Sequence, residues 1–387
     1  MPVPVPFLDL YAANRPVEAA FFRELKSLYR RSAFIGGPAV EAFEKAFAAA
    51  SGAPFCVAVS SGTAALHLSM LAAGVGPGDE VIVPAFTFPG AAGPILHLGA
   101  RPVFADVRRE DGCLDPAAVA RVLTPRTRVV LATHLFGHPA DLAELKKVLK
   151  TFTQKAGSGP ARRIHLIEDA AQAHGAKAAS GPGRRGPVGS TADFGCFSFY
   201  PTKNLGGIGD GGAIVVRSAA VAARLRRLRD HGQAARFHPL EAGFNARMDA
   251  VQALFLTLKL PRLARNNTRR ATLAARFLKT LGARPNDALR PLVPSPSGTS
   301  AWHAFVVRIE KGKRAAFLRH LDARGIGHQI YYPAALPDLP AYQKFTKASK
   351  TACPVATELA RSVVAISFHP GLGAEAQVRI HAALAEF

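Results

Sequence analysis

Between Phe55 and Val216 short apolar runs alternate with helical patterns, and this alternation limits the fold more than any other feature of the chain. Phe55–Val59 (FCVAV), Glu80–Val83, Val103–Ala105, Val129–Ala132, Ile164–Ile167, Phe194–Phe199 and Ala213–Val216 read as short buried strands. Helical segments fall between them, among them Ala64–Ala73 and Asp141–Lys150. Strands this short and this apolar, separated by helices, predict an α/β fold with a mostly parallel sheet covered on both faces. Ligands on such sheets bind beyond the carboxyl ends of the strands. Three polar features fall at those ends: the Ser60-Ser61-Gly62-Thr63 turn, Asp169 and Lys203.

The flanking regions have a different character. Residues 1–14 are proline-rich and expected to be extended, and helices are predicted over Pro16–Arg30 and Ala39–Ala50. Two polar, glycine-containing stretches, Thr151–Arg163 and Lys177–Ser190, read as surface loops. Beyond Arg247 long helical patterns run through Met248–Leu260 and Arg262–Leu281. A Pro/Ser/Gly segment, Pro291–Ser300, precedes a strand at His303–Ile309. A helix at Lys313–Ala323, strand and turn at Ile326–Tyr332 and a helix at Ala374–Glu386 follow. The expected organisation is a large α/β domain over residues 1–250 and a smaller α+β domain over 251–387.

The bulk composition narrows the function classes. No apolar stretch is long enough to span a bilayer, and the start MPVPVPFLDL has no basic region leading an apolar core, so a cytoplasmic protein is expected. Cys56, Cys113, Cys196 and Cys353 are too scattered for a metal-binding pair or a disulfide framework and read as reduced thiols. The net charge of +22 admits nucleic acid, an acidic membrane or anionic small substrates. No nucleic-acid motif accompanies the Arg224–Arg229 or Arg262–Arg270 clusters, so most of this charge reads as solvated helix faces, with a few groups kept for an anionic ligand.

The chemistry concentrates in DFGCFSFYPTKNLGGIGDGG, Asp193 to Gly212. A buried strand ends at Pro201, Lys203 follows on an irregular turn, and five glycines fall between Gly206 and Gly212. A partly desolvated lysine has a lowered pKa, and a neutral amine can form a Schiff base with an aldehyde. The same residues also fit a surface lysine in a glycine-rich hairpin. Gly62 and Thr63 open a helix and offer free N–H groups to an anion, or form an ordinary capping turn. Asp169 ends a buried strand and needs a cationic or N–H partner; a protonated pyridine nitrogen, a salt bridge or a helix cap would each serve. Gln172 can reach the same ligand or close a capping box. Phe88 can stack on a flat heterocycle, whereas Phe86 reads as core. Ser198 carries a hydroxyl suited to a phosphate. His134, His138 and His174 lack metal-ligand spacing and read as structural groups. An anion-binding turn, an aromatic face, an acid for a ring nitrogen and a Schiff-base lysine are what pyridoxal 5′-phosphate requires.

The order of the motifs SSGTAALHL, GDEVIVPAFTF, GARPVFADV, HLFGHPADL, IEDAAQAHGA, GCFSFYPTKNLGGIGDGGA and GFNARMDAVQA resembles that of the DegT-type sugar aminotransferases, from about Phe7 to the C-terminus. The resemblance implies a fold-type-I pyridoxal phosphate enzyme. It implies a homodimer with shared active sites and amino transfer from L-glutamate to a nucleotide-linked keto sugar, of the kind used in lipopolysaccharide O-antigen. By the same resemblance Lys203 holds the cofactor, Asp169 faces the pyridine nitrogen and Gln172 the ring hydroxyl. Gly62, Thr63 and Ser198 take the phosphate, Phe88 stacks on the ring, and Asn245 reaches the partner's phosphate. Arg247 and Tyr331 fall to the substrate. Tyr331 stands where relatives often have a histidine, and Ala64 where many 3-amino enzymes have aspartate. The GDGG segment favours a dTDP-linked 3-keto-6-deoxyhexose as acceptor, with a 4-keto sugar the alternative. The family's dehydratases usually lack the lysine, and a regulatory relative would not need an intact site, so Lys203 weighs against both.

Overall fold

The computed structural model describes residues 3–155, 163–181, 184–283, 288–296, 298–348 and 352–387. Seven strands form the central sheet: β1 (Phe55–Val59), β2 (Glu80–Pro84), β3 (Arg101–Ala105), β4 (Thr127–Thr133), β5 (His165–Asp169), β6 (Phe194–Ser198) and β7 (Gly212–Val216). Their order is β1-β7-β6-β5-β4-β2-β3. The neighbours from β6 to β3 are parallel, and β7 runs antiparallel to both β6 and β1. The fold is thus the mostly parallel α/β sheet flanked by helices that the alternation predicts.

The strands are apolar on both faces because helices cover both. α1 (Glu18–Arg30), α2 (Gly37–Ala50) and α3 (Gly62–Ala72) precede and follow β1, and α4 (Ala250–Lys259) packs against α1 and α2. Phe43 and Phe47 of α2 meet Phe197 and Phe199, with ring centroids 4.9–5.3 Å apart, and the buried His174 ring closes the cluster. Burial of each such ring contributes about 1.5–3 kcal/mol. This cluster fixes β6, and so fixes where the chain leaves the sheet just before Lys203.

A second core gathers Phe277 of α5 (Leu263–Gly282) with Phe305, Phe317, Ile366 and Ile380. Its sheet is antiparallel, β8 (Leu289–Pro291), β9 (Phe305–Ile309), β11 (Val363–Ile366) and β10 (His328–Gln329) in that order. Val5, from the other end of the chain, is buried in this core and bridges Ile326.

Several local expectations change. Residues 1–14 are not wholly extended: Leu10–Asn14 is helical, capped by Asp9, whose Oδ1 accepts from the Ala12 N–H at 2.9 Å. The first expected loop is helical as far as Lys155; 156–162 lie outside the described residues. The second is a hairpin of Lys177–Gly181 with Arg184–Pro187. Lys177 and Thr299 exchange backbone hydrogen bonds of 2.8 and 2.9 Å, a distant pairing that no local pattern reveals. The helices at Gly93–His97, Pro116–Val122, Gln343–Ala348 and Pro354–Ser362 and strands β8 and β11 leave no clear pattern in the sequence, whereas the helix at Ala219–Leu228 carries the Arg224–Arg229 cluster already read as a helix face.

Strand β5 ends in two carboxylates with separate duties. Glu168 is fully buried and accepts from His134 Nε2 (3.1 Å), the N–H groups of Gly189 (2.7 Å), Thr191 (2.9 Å) and Ala192 (2.8 Å), and the Thr191 hydroxyl (3.0 Å). His134 Nδ1 accepts from the Ala140 N–H at 2.9 Å, which places the ring proton on Nε2. Burial pushes the Glu168 carboxyl up, but the bonds from His134 and the backbone outweigh it and hold the group ionised. Glu168→Ala should therefore cost about 3–5 kcal/mol, because it strands several buried donors. Urea unfolding checks this, and a loss below about 1 kcal/mol would show that the loop repacks without its anchor.

Candidate active site

The carboxyl ends of β4, β5 and β6, the start of α3 and the Tyr331–Tyr332 segment enclose a cavity of about 490 Å³. Gly62, Thr63, Phe88, Asp169, Gln172, Ser198, Lys203 and Tyr331 all line it. Asn245 and Arg247 do not. Asn245 is exposed and bridges Asp230, and Arg247 Nη1 is ion-paired with the Asp230 carboxylate.

Lys203 sits where the sheet lets go of the chain. Its N–H donates to Tyr200 O at 2.9 Å, and the Gly207 N–H returns to Phe199 O at 2.7 Å, closing a turn beyond β6. Gly206 makes that turn possible, because a Cβ there would stand 2.1 Å from Pro201 O. Burial lowers the Lys203 ammonium to about 8, with the Asp169 carboxylate opposing the shift only in part. Roughly a tenth of the amine is therefore neutral at pH 7, far more than for an ordinary lysine.

Asp169 faces the same cavity and is 7% exposed. Its Oδ1 accepts from the Ala171 N–H at 3.1 Å, and Thr133 Oγ1 lies 3.4 Å from Oδ2. Burial raises its pKa; the Ala171 N–H and Lys203 act against this. No ion pair engages it among the described residues, and Lys203 acts on it only from beyond ion-pair distance, so this buried carboxylate is left partly uncompensated.

The opposite end of the cavity is built for an anion. Ser61 caps α3, its hydroxyl accepting from the Ala64 N–H at 3.0 Å. The N–H groups of Gly62 and Thr63 are left without acceptors among the described residues and lie at the positive end of the helix dipole. Gly62 must lack a side chain, since a Cβ would meet Ser198 Cβ at 2.7 Å. The Ser198 hydroxyl therefore lies beside the start of the helix.

Gln172 is held at both ends of its amide. Its Oε1 accepts from the Phe136 N–H at 2.7 Å, and its Nε2 donates to Tyr332 Oη at 3.0 Å. One Nε2 hydrogen stays free for the cavity. Phe88 is 58% exposed, its ring 6.1 Å from that of Tyr332. Phe86 is fully buried against the Tyr332 ring, as a core residue. His134 and His138 are hydrogen-bonded within the protein, to Glu168 and Ser300, whereas His174 is buried among phenylalanines with neither nitrogen bonded among the described residues.

Sequence reasoning missed Tyr332, His303, Thr133 and the rim residues Tyr200 and Asp210. Tyr332 adjoins Tyr331, and its hydroxyl accepts from Gln172 in the same cavity. His303 comes from the distant end of the chain, and only the fold brings it to Lys203. Its Nδ1 faces Asn204 Oδ1 at 3.1 Å. Asn204 Nδ2 donates to Asn267 Oδ1 and Ala301 O, so His303 is the donor in this bond, and burial lowers its pKa to keep it neutral.

The DegT/DnrJ/EryC1/StrS aminotransferase family model matches residues 17–385. The chain is 38% identical over 383 residues to the dTDP-3-amino-3,4,6-trideoxy-alpha-D-glucose transaminase of Streptomyces venezuelae, covering 99% of this chain and 96% of that protein. It is 36% identical to the UDP-N-acetyl-3-dehydro-alpha-D-glucosamine 3-aminotransferase of Acidithiobacillus ferrooxidans, covering 97% and 96%. Among solved structures, S. venezuelae DesV in complex with a ketimine intermediate has a TM-score of 0.90 at 37% identity, covering 99% of this chain and 98% of that one. The model match, the relatives and the shared fold agree: the chain belongs to the DegT/DnrJ/EryC1/StrS aminotransferase family.

Proposed function

We propose that this protein is a pyridoxal 5′-phosphate-dependent aminotransferase that moves the amino group of L-glutamate to a nucleotide-linked keto sugar. The observation that carries the reading is one cavity holding a lysine with a pKa near 8, a buried carboxylate left partly uncompensated, and a helix start with two free N–H groups. These fit the aldehyde, the protonated ring nitrogen and the phosphate of that cofactor. When bound, pyridoxal 5′-phosphate supplies a carbon that carries the amino group between donor and acceptor and a ring that takes up an electron pair.

The chain's own residues do the rest. Gly62 and Thr63 N–H groups, with the Thr63 and Ser198 hydroxyls, hold the phosphate. Asp169 keeps the ring nitrogen protonated, and the free Nε2 hydrogen of Gln172 meets the ring hydroxyl. The exposed Phe88 ring covers one face. Lys203 Nζ would hold the cofactor's aldehyde and, once freed, would take the proton from the α-carbon of glutamate and give it back on the acceptor side. For the acceptor, the relatives named for 3-amino dTDP sugars support a dTDP-linked 3-keto-6-deoxyhexose, and the UDP-sugar relative supports amination at carbon 3.

The active unit we propose is a homodimer. Asn245 cannot serve the cavity of its own chain, but it sits on an exposed segment that also presents Phe237 (78% exposed), Leu240 (72%) and Phe244 (40%). Apolar groups this exposed fit an interface with a second copy.

The amine is tested first. In cofactor-free protein, trace acetylation of Lys203 should rise through about pH 8 and then level off, whereas an ordinary lysine keeps rising to about 10.4. In loaded protein borohydride should fix the cofactor to Lys203 alone; an adduct elsewhere sinks the assignment.

For the substrate, ¹⁵N-glutamate is supplied with a panel of 3-keto and 4-keto nucleotide sugars. The label should appear at carbon 3 of the dTDP sugar. Labelling confined to 4-keto sugars would overturn the acceptor while keeping the aminotransferase, and labelling of none would overturn the reaction.

The shared site is tested by mixing Lys203→Ala with Asn245→Asp, each inactive alone because the second puts a carboxylate beside a phosphate. After subunit exchange one site of each mixed dimer has both residues intact, so activity should return towards one site per dimer. No recovery after proven exchange would refute the assignment of Asn245.

A further inference from the structure

Thr202 and Lys203 also line a second cavity, of about 40 Å³, whose remaining walls include Asp9, Lys259, Arg270 and His369. It adjoins the proposed cofactor site at those two residues, and its charged lining is mainly cationic. Lys259 and Arg270 are each 5% exposed and His369 is 8% exposed. Lys259 Nζ donates to Asn14 Oδ1 at 2.7 Å and to Gly206 O at 2.8 Å. An ammonium has three N–H donors, so one is unused. Arg270 directs Nη1 at the carbonyls of Trp302 (3.3 Å), His303 (3.1 Å) and Phe368 (3.4 Å). Its Nε and Nη2 donors have no acceptor among the described residues, yet they are not sealed into the protein.

Two buried cations therefore meet at one small space with donors to spare. Neither is ion-paired with a carboxylate among the described residues; their other neighbours are rings, Phe255 at 5.4 Å from Lys259 Nζ and Phe368 at 5.7 Å from Arg270 Cζ. Asp9 is the one carboxylate in the lining; it is half-buried, its Oδ1 accepts from the Ala12 N–H, and its single charge offsets at most one of the two cations. Burial and the Arg270 charge lower Lys259 to about 8, while burial brings Arg270 to about 10, which marks how poorly the protein alone compensates these charges. Water would fill the space but would leave the charge uncompensated.

We propose that this cavity binds one small monoanion, a halide or a single carboxylate, between Lys259 Nζ and the Arg270 guanidinium. The site would act on the turn that carries Lys203. Lys259 grips Gly206 O three residues beyond it, and an anion there steadies the grip by keeping Lys259 charged.

Bromide and chloride are the probes. Crystals of the cofactor-loaded protein soaked in sodium bromide should give an anomalous peak within hydrogen-bonding distance of Lys259 Nζ and Arg270. In solution, replacing gluconate, which is too large to enter, by chloride at equal ionic strength should raise Tm by about 2–5 °C and saturate. Lys259→Met should lose the shift and Lys259→Arg should keep it. Loss of the bromide peak when sodium formate is added would show that a small carboxylate shares the site; persistence of the peak would identify it as selective for a halide. No peak together with superimposable melting curves would overturn the proposal, as would a Lys259→Met protein that responds like the parent. If that variant does not fold, the bromide map of the unaltered protein decides alone.

Discussion

The site depends on the division of labour between two neighbouring carboxylates. Successive side chains of a strand point to opposite faces of a sheet. Glu168 and Asp169 at the end of β5 use that alternation. Glu168 takes up every donor within reach, from His134 and from the loop 189–192. Asp169 receives one clear backbone hydrogen bond and looks into the cavity. The first carboxylate is satisfied so that the backbone around the second cannot move to satisfy it. A buried acid short of partners persists only where the surrounding structure is held, and the five-bond anchor next to it does the holding.

Much of this was legible in the sequence. The alternation from Phe55 to Val216 fixes the sheet class, and the rule that ligands sit at strand ends selects Asp169, Lys203 and the SSGT turn. Residues whose role is local were read this way: Gly62 opens a helix, Gly206 closes a turn, and both are required by contacts of under 3 Å to a hypothetical Cβ. What escaped is what distant chain brings. His303 reaches the cavity across an Asn204–Asn267 relay, with nothing in its own neighbourhood to mark it. The Lys177–Thr299 bridge, which fastens the local hairpin to a distant segment, escaped for the same reason. Periodicity reports on the face a segment buries, and it carries no information about which remote segment supplies the partner.

The basic character of the chain is likewise resolved by partners rather than by counting. In the Arg224–Arg229 cluster, Arg224 and Arg227 pair with Glu241, and Arg226 and Arg229 with Glu44. These are positional pairs that tie the helix at Ala219–Leu228 to α2 and to the loop before Asn245, and they consume charge that the sequence displays as a block. The stretch from 250 to 286 is different: it contains no acidic residue at all, and it supplies both Lys259 and Arg270. Where local acids are missing, a buried cation has to find carbonyls, rings or an outside anion.

The antiparallel placement of β7 has a consequence for how the molecule is made. β1 lies at the edge of the sheet and its only strand neighbour is β7, which closes at Val216. A chain emerging from the ribosome can pair β2, β3, β4 and β5 as they appear, but β1, though it packs against α2, finds its strand partner only about 150 residues later. The anion-binding turn and the lysine are thus brought together by the last strand to arrive. During synthesis the sheet is completed only by that closing strand, and a chain ending before Gly212 lacks the pairing that ties β1 to the rest of the sheet.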